Sequence, residues 1–109
     1  MITDQQIQEV TKIIVDEVQP EKVFLFGSYA SDRQNENSDL DFIVIVEKDL
    51  ENSKRIDETV KLNLKTALPN LLFPKDFKMY SKEEYNSLSG KKSSFLYSAL
   101  QNSKLLYER

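Results

Sequence analysis

Two stretches of the sequence, separated by ten residues, decide the fold: Val23-Phe24-Leu25-Phe26-Gly27-Ser28 and Asp39-Leu40-Asp41-Phe42-Ile43-Val44-Ile45-Val46. Each contains a run of β-branched and aromatic residues, which predicts a strand buried on both faces of a sheet. A glycine–serine turn leaves the first strand, and two acidic residues open the second. Because residues two apart on a strand point to the same face, we expect Asp39 and Asp41 to lie side by side. The pattern indicates a site for a phosphate held through a metal ion.

The flanking sequence predicts further helices and strands around these two. Thr3 and Gln6 have the spacing of a capping box, and the helix that they begin is expected to stop at Pro20. The two central strands are predicted at about 22–26 and 40–47, a helix at 54–68, a third strand at 76–80, short helices from 82 and from 95, and a closing strand at 105–107. We therefore predict a mixed α/β fold with a small mixed sheet of about three to four strands flanked by helices.

The composition excludes several classes of protein. The chain has 109 residues, 39% of them hydrophobic and 30% charged, which predicts a single globular domain over residues 1–109. Histidine and cysteine are both absent, which excludes zinc fingers, thiol nucleophiles, serine–histidine triads and disulfide scaffolds. A net charge of −3 argues against strong direct binding of nucleic acid. No apolar stretch is long enough for a membrane span and no signal peptide is evident, so we expect a cytoplasmic protein without membrane contact.

The chemistry of the central motif follows from its residue types. Without histidine and cysteine, a metal must be held by oxygen, which suits Mg²⁺ or Mn²⁺. Asp39 and Asp41 are the first candidate ligands, and Asp76, at the head of the third strand, is the candidate third carboxylate for a site with two ions. Gly27 lets the backbone approach a phosphate closely, and the Ser28 hydroxyl can donate to it.

Each feature also has an ordinary structural interpretation. A glycine–serine turn after a strand is common, and an Asp-x-Asp at a strand start fits a polar junction with a loop. Asp76 alone fits the same kind of junction. Arg33 can reach a triphosphate from its loop, but an arginine there also fits a solvated side chain. The combination of all these features between two buried strands is what favours a functional site.

Gly27-Ser28, ten residues and Asp39-x-Asp41 together resemble the signature of the DNA-polymerase-beta-like nucleotidyltransferase superfamily. The short chain resembles its minimal branch, whose members are antitoxins of HEPN-domain toxins. This resemblance implies the superfamily's palm fold, with two Mg²⁺ ions on Asp39, Asp41 and Asp76, and with Asp76 helping to activate the acceptor hydroxyl. Gly27 and Ser28 would hold the phosphates of ATP. The implied reaction is transfer of AMP from ATP to a tyrosine of the toxin, a ribonuclease, with release of pyrophosphate.

The sequence departs from the resemblance beside the third carboxylate, and two other functions stay open. Lys75 and Lys78 flank Asp76, where many relatives have an apolar run. One alternative function is an antitoxin with little or no catalysis that occludes the active site of its toxin. Another is transfer to a small molecule or to RNA, against which the acidic balance and the missing second domain both argue. A partner protein is expected to supply the missing wall of the site, so a hetero-oligomer with a HEPN toxin is predicted.

Overall fold

The computed structural model describes residues 3–27, 40–47 and 75–109, with the side chains of residues 75–77 outside that description. The predicted helix at 54–68 lies outside the described residues. In chain order, the described helices and strands are α1 (Asp4–Val18), β1 (Lys22–Phe26), β2 (Leu40–Val46), β3 (Lys75–Ser81), α2 (Lys82–Leu88), α3 (Phe95–Leu100) and β4 (Lys104–Glu108). This architecture confirms the predicted mixed α/β fold.

Helix α1 begins at the predicted capping box. The Gln6 amide donates to the Thr3 hydroxyl at 3.1 Å, and the Thr3 amide donates to the Gln6 side-chain carbonyl at 2.9 Å. The helix ends at Val18, before Pro20, because Gln19 adopts a left-handed conformation with φ 51°. The Gln19 amide donates a hydrogen bond to the Val15 carbonyl at 2.9 Å. Proline disfavours the right-handed helical conformation in the residue before it, which explains why Gln19 is already outside the helix.

The sheet has four described strands in the order β3-β2-β1-β4. Strand β1 is antiparallel to both β2 and β4, whereas β2 and β3 are parallel. The pairing of β1 with β4 contains a register shift between Val23 and Phe24. The sheet is therefore mixed, as predicted.

Both faces of β1 and β2 are buried, which confirms the prediction made from their continuous apolar runs. Helix α1 covers one face, called here the α1 face, and helices α2 and α3 cover the other, the α2/α3 face. The buried residues on the α1 side are Ile7, Val10, Ile14, Val23, Leu25, Leu40, Phe42 and Val44. Those on the α2/α3 side are Phe24, Phe26, Ile43, Ile45 and Leu96. None of the described helices is both long enough and apolar enough to cross a bilayer.

The last two helices are short and are capped by serines. Ser81 and Glu84 form a capping box at α2, and the Ser94 hydroxyl accepts from the Tyr97 amide at the start of α3. Of the hydrophobic residues that follow, Leu96 is buried but Phe95 and Leu105 are each 50% exposed. Phe95 and Leu105 are therefore not part of the buried core.

Candidate active site

Three chain segments converge at one edge of the sheet. Strand β1 ends at Phe26, while β2 begins at Leu40 and β3 begins at Lys75. Because β1 and β2 are antiparallel and β2 and β3 are parallel, the end of β1 and the starts of β2 and β3 lie together. Gly27 follows β1 at this edge, and β2 and β3, which carry Asp41 and Asp76, begin there.

Gly27 lies directly against the carboxylate of Asp41. A Cβ atom built on Gly27 would be 2.6 Å from Oδ2 of Asp41, closer than van der Waals contact allows. Gly27 also has φ +79°, a left-handed backbone conformation that residues other than glycine rarely adopt. The turn thus requires glycine for two independent reasons, and its backbone forms one wall of the space around the half-buried Asp41.

Asp41 and Asp76 are partners in the parallel pairing of β2 and β3. On the other side, Asp41 pairs with Phe26 at the end of β1. These three residues form one row across the sheet, called here the carboxylate row. Asp41 is two and four residues before the buried Ile43 and Ile45, and so lies with them on the α2/α3 face. The side chain of Asp76 is outside the described residues, but its backbone is next to Asp41, on the neighbouring strand.

The other predicted site residues are not described. Ser28, Arg33 and Asp39 lie outside the described residues, although Asp39 directly precedes Leu40, the first residue of β2. Among the side chains that the structure describes, no group of three metal-binding side chains lies together. The roles of these residues therefore stay predictions.

The family is established by the sequence of almost the whole chain. Residues 8–109 match the model of the family described as polymerase beta, nucleotidyltransferase. The chain belongs to this nucleotidyltransferase family. No curated protein matches the chain significantly.

Solved structures share the fold of this nucleotidyltransferase. A toxin–antitoxin crystallised with AMP-PNP has a TM-score of 0.59 and 20% identity, over 94% of this chain and 73% of that chain. A mutant of the toxin–antitoxin MntA–HpeT has a TM-score of 0.61 and 19% identity, over 93% of this chain and 72% of that chain. A Sulfolobus solfataricus protein assigned to the nucleotidyltransferases has a TM-score of 0.58 and 17% identity, over 96% of this chain and 83% of that chain. At such low identities these likenesses show a common fold only.

The donor chemistry at the carboxylate row fits a magnesium ion. Carboxylate oxygens are the ligands that Mg²⁺ prefers, and it usually takes only one or two of them, leaving positions for water and phosphate. Asp41 supplies such oxygens near the start of β2, and because Gly27 has no side chain, its backbone lies close to them. Members of this nucleotidyltransferase family generally act on nucleoside triphosphates with a divalent metal, which is the chemistry that this arrangement suits.

Two residues beside the carboxylate row have positions that the sequence did not predict. The ring of Phe95 packs edge-on against Phe26, with centroids 5.8 Å apart and planes at 80°. The ammonium of Lys78 lies over the same ring, 5.3 Å from its centroid. The spacing of Lys78, two residues after Asp76, could have indicated its face of the sheet. No sequence signal distinguishes the exposed Phe95 from the buried Leu96.

Proposed function

We propose that this protein is a Mg²⁺-dependent nucleotidyltransferase that transfers AMP from ATP to a tyrosine hydroxyl of a partner toxin of the HEPN class. The family is consistent with this reaction. Neighbours in fold that are toxin–antitoxin proteins, one of them crystallised with AMP-PNP, support a toxin partner and ATP as the substrate. The protein would act as the antitoxin and would work in the cytoplasm.

The observation that carries the proposal is the contact between the Gly27 turn and the Asp41 carboxylate, with Asp76 on the adjacent strand. Neighbouring strands lie about 4.8 Å apart, a spacing that suits carboxylates sharing two ions about 3.5–4 Å apart. Asp39, Asp41 and Asp76 are the residues proposed to hold the ions. Magnesium, when bound, neutralises charge on the triphosphate and aligns it for displacement.

The proposed reaction replaces one bond to the α-phosphorus of ATP by another, and residues of this chain accept the proton and hold the phosphates. The tyrosine oxygen forms a bond to the α-phosphorus of ATP, and the bond from that phosphorus to the bridging oxygen of the leaving pyrophosphate breaks. The hydroxyl proton passes to a carboxylate, a role that we assign to Asp76. Gly27 and Ser28 would hold the phosphates through the backbone and the serine hydroxyl, and Arg33 would pair with phosphate charge.

The test is transfer of label from α-labelled ATP to the cognate toxin in the presence of Mg²⁺. We expect Asp41→Asn and Asp39→Asn to abolish labelling, and removal of the metal by EDTA to do the same. Asp16→Asn is the matched control, because Asp16 is an exposed acidic residue of α1. Its labelling should equal that of the wild type. Absence of labelling by the wild type with its toxin would refute the transfer reaction.

A second experiment, growth rescue of cells that express the toxin, separates catalysis from simple occlusion. If the chain neutralises its toxin only by covering the toxin's active site, the Asp39→Asn/Asp41→Asn variant will still restore growth to cells that express the toxin. If AMP transfer is responsible, rescue by that variant will fail, although the variant remains folded and still binds the toxin.

A further inference from the structure

Among the described residues, Lys78 is a cation placed next to the carboxylate row on the same face of the sheet. It pairs with Ile43 in the parallel register, one step further along the strands than the pair of Asp41 and Asp76. Successive residues on one face of a strand are about 6–7 Å apart, a distance that the flexible four-carbon stem of lysine can span. The position is therefore within reach of a ligand bound at the carboxylates.

The ammonium of Lys78 lies over the ring of Phe95. The ring contacts Phe26 of β1 on one side and the Lys78 ammonium of β3 on the other. Strand β2 lies between β1 and β3, so a ring that contacts both Phe26 and Lys78 lies across β2. Phe95 is 50% exposed, so it forms an open wall next to the carboxylate row and is not a part of the core.

We propose that Lys78 is a phosphate-binding residue of the nucleotide site, and this inference rests on the nucleotide site of the proposed function. Three aspartates and a triphosphate concentrate negative charge at one edge of a chain whose net charge is already −3. Bound metal ions would compensate the charge of the carboxylates. A lysine ammonium held by Phe95 supplies a further positive charge to the phosphate oxygens, as a point charge with three donors. The two alternatives to phosphate binding are a purely structural contact with the ring and a role as counter-ion for the carboxylates.

Lys22 provides a matched control. Its ammonium also lies 5.3 Å from the centroid of an aromatic ring, that of Tyr85, and it forms an ion pair with Glu108 at 3.2 Å. Lys22 pairs with Ile45 and so stands on the same face of the sheet, but at the end away from the carboxylate row. Replacing it removes the same charge and the same kind of ring contact without touching the proposed site.

The experiment measures equilibrium binding of ATP with Mg²⁺, and of Mn²⁺ alone, to the full chain and to three variants. For Lys78→Met we expect ATP affinity to fall by about tenfold or more, the effect of losing a hydrogen bond from a charged donor, and Mn²⁺ affinity not to change. Lys78→Arg should recover most of the ATP affinity. Lys22→Met should bind ATP within about twofold of the wild type, because the change is remote from the site. Thermal unfolding of each variant checks that it is folded.

Three results would overturn the inference. Unchanged ATP affinity in Lys78→Met would leave the lysine with a structural role only. Tighter Mn²⁺ binding without weaker ATP binding would make it a counter-ion of the carboxylates. An equal loss in Lys22→Met would indicate a general effect of charge. If the wild type binds ATP in a Lys78-dependent manner but transfers no AMP, only the proposed function fails; if it binds no ATP, both fail.

Discussion

Replacement of Gly27 by alanine tests the geometry of the site most directly. The new Cβ would lie 2.6 Å from Oδ2 of Asp41, whereas ordinary contacts begin at 3.4 Å, so the carboxylate must retreat by about 0.8 Å, the difference between these distances. The carboxylate is the end of a flexible side chain, so this movement costs little stability. The φ of +79° cannot be relieved in the same way. For alanine we expect a cost of about 1–2 kcal/mol, which lowers the Tm of a domain of this size by about 4–12 °C.

The functional effect of Gly27→Ala should exceed the effect on stability. A displacement of about 1 Å at a reacting group can reduce the rate about a hundredfold. We therefore expect AMP transfer, measured below the Tm of the variant, to fall by about two orders of magnitude while circular dichroism shows a folded protein. In an Asp41→Ala background the clash is absent, and Gly27→Ala should then cost only the backbone strain.

Gly90→Ala is the control for this prediction. Gly90 has no positive φ, and a Cβ there would meet no heavy atom within 4 Å. Its replacement should change stability by less than about 1 kcal/mol, in the stabilising direction if at all. The reasoning is refuted if Gly27→Ala and Gly90→Ala have the same Tm and the same transfer rate.

Two further predictions concern the packing and the caps that support the site. Leu96→Ala should lower the free energy of unfolding by about 3 kcal/mol in urea titration, because Leu96 is 1% exposed, whereas Phe95→Ala should cost about 1 kcal/mol; the reverse order would contradict the burial of these two residues. Thr3→Ala removes the cap of α1 and should cost about 1 kcal/mol and increase hydrogen exchange in the first turn, while Gln5→Ala, at an exposed position of the same turn, should change both very little.

The parts of the fold that depend on local pattern could be predicted from the sequence. The strand from Lys22 to Phe26 was predicted from its apolar run, and the start of α1 from the spacing of Thr3 and Gln6, because these signals act within a few residues. The exposure of Phe95 could not be predicted. Phe95 and Leu96 are adjacent apolar residues of one short helix, and which of them faces the sheet depends on how the helix docks.

The site itself depends on pairing between distant segments, which no local pattern encodes. Asp41 and Asp76 are neighbours only because β2 and β3 are parallel and in the register that pairs Leu40 with Lys75. A shift of that register by one residue would pair Asp76 with Leu40 or Phe42, both residues of the α1 face. The register also places Lys78, which stands where many relatives have an apolar residue. The spacing of two residues from Asp76 keeps this lysine on the α2/α3 face, where Phe95 can hold it. Lys78 pairs with Ile43 of that face, so the phosphate contact that we propose for it depends on the same register.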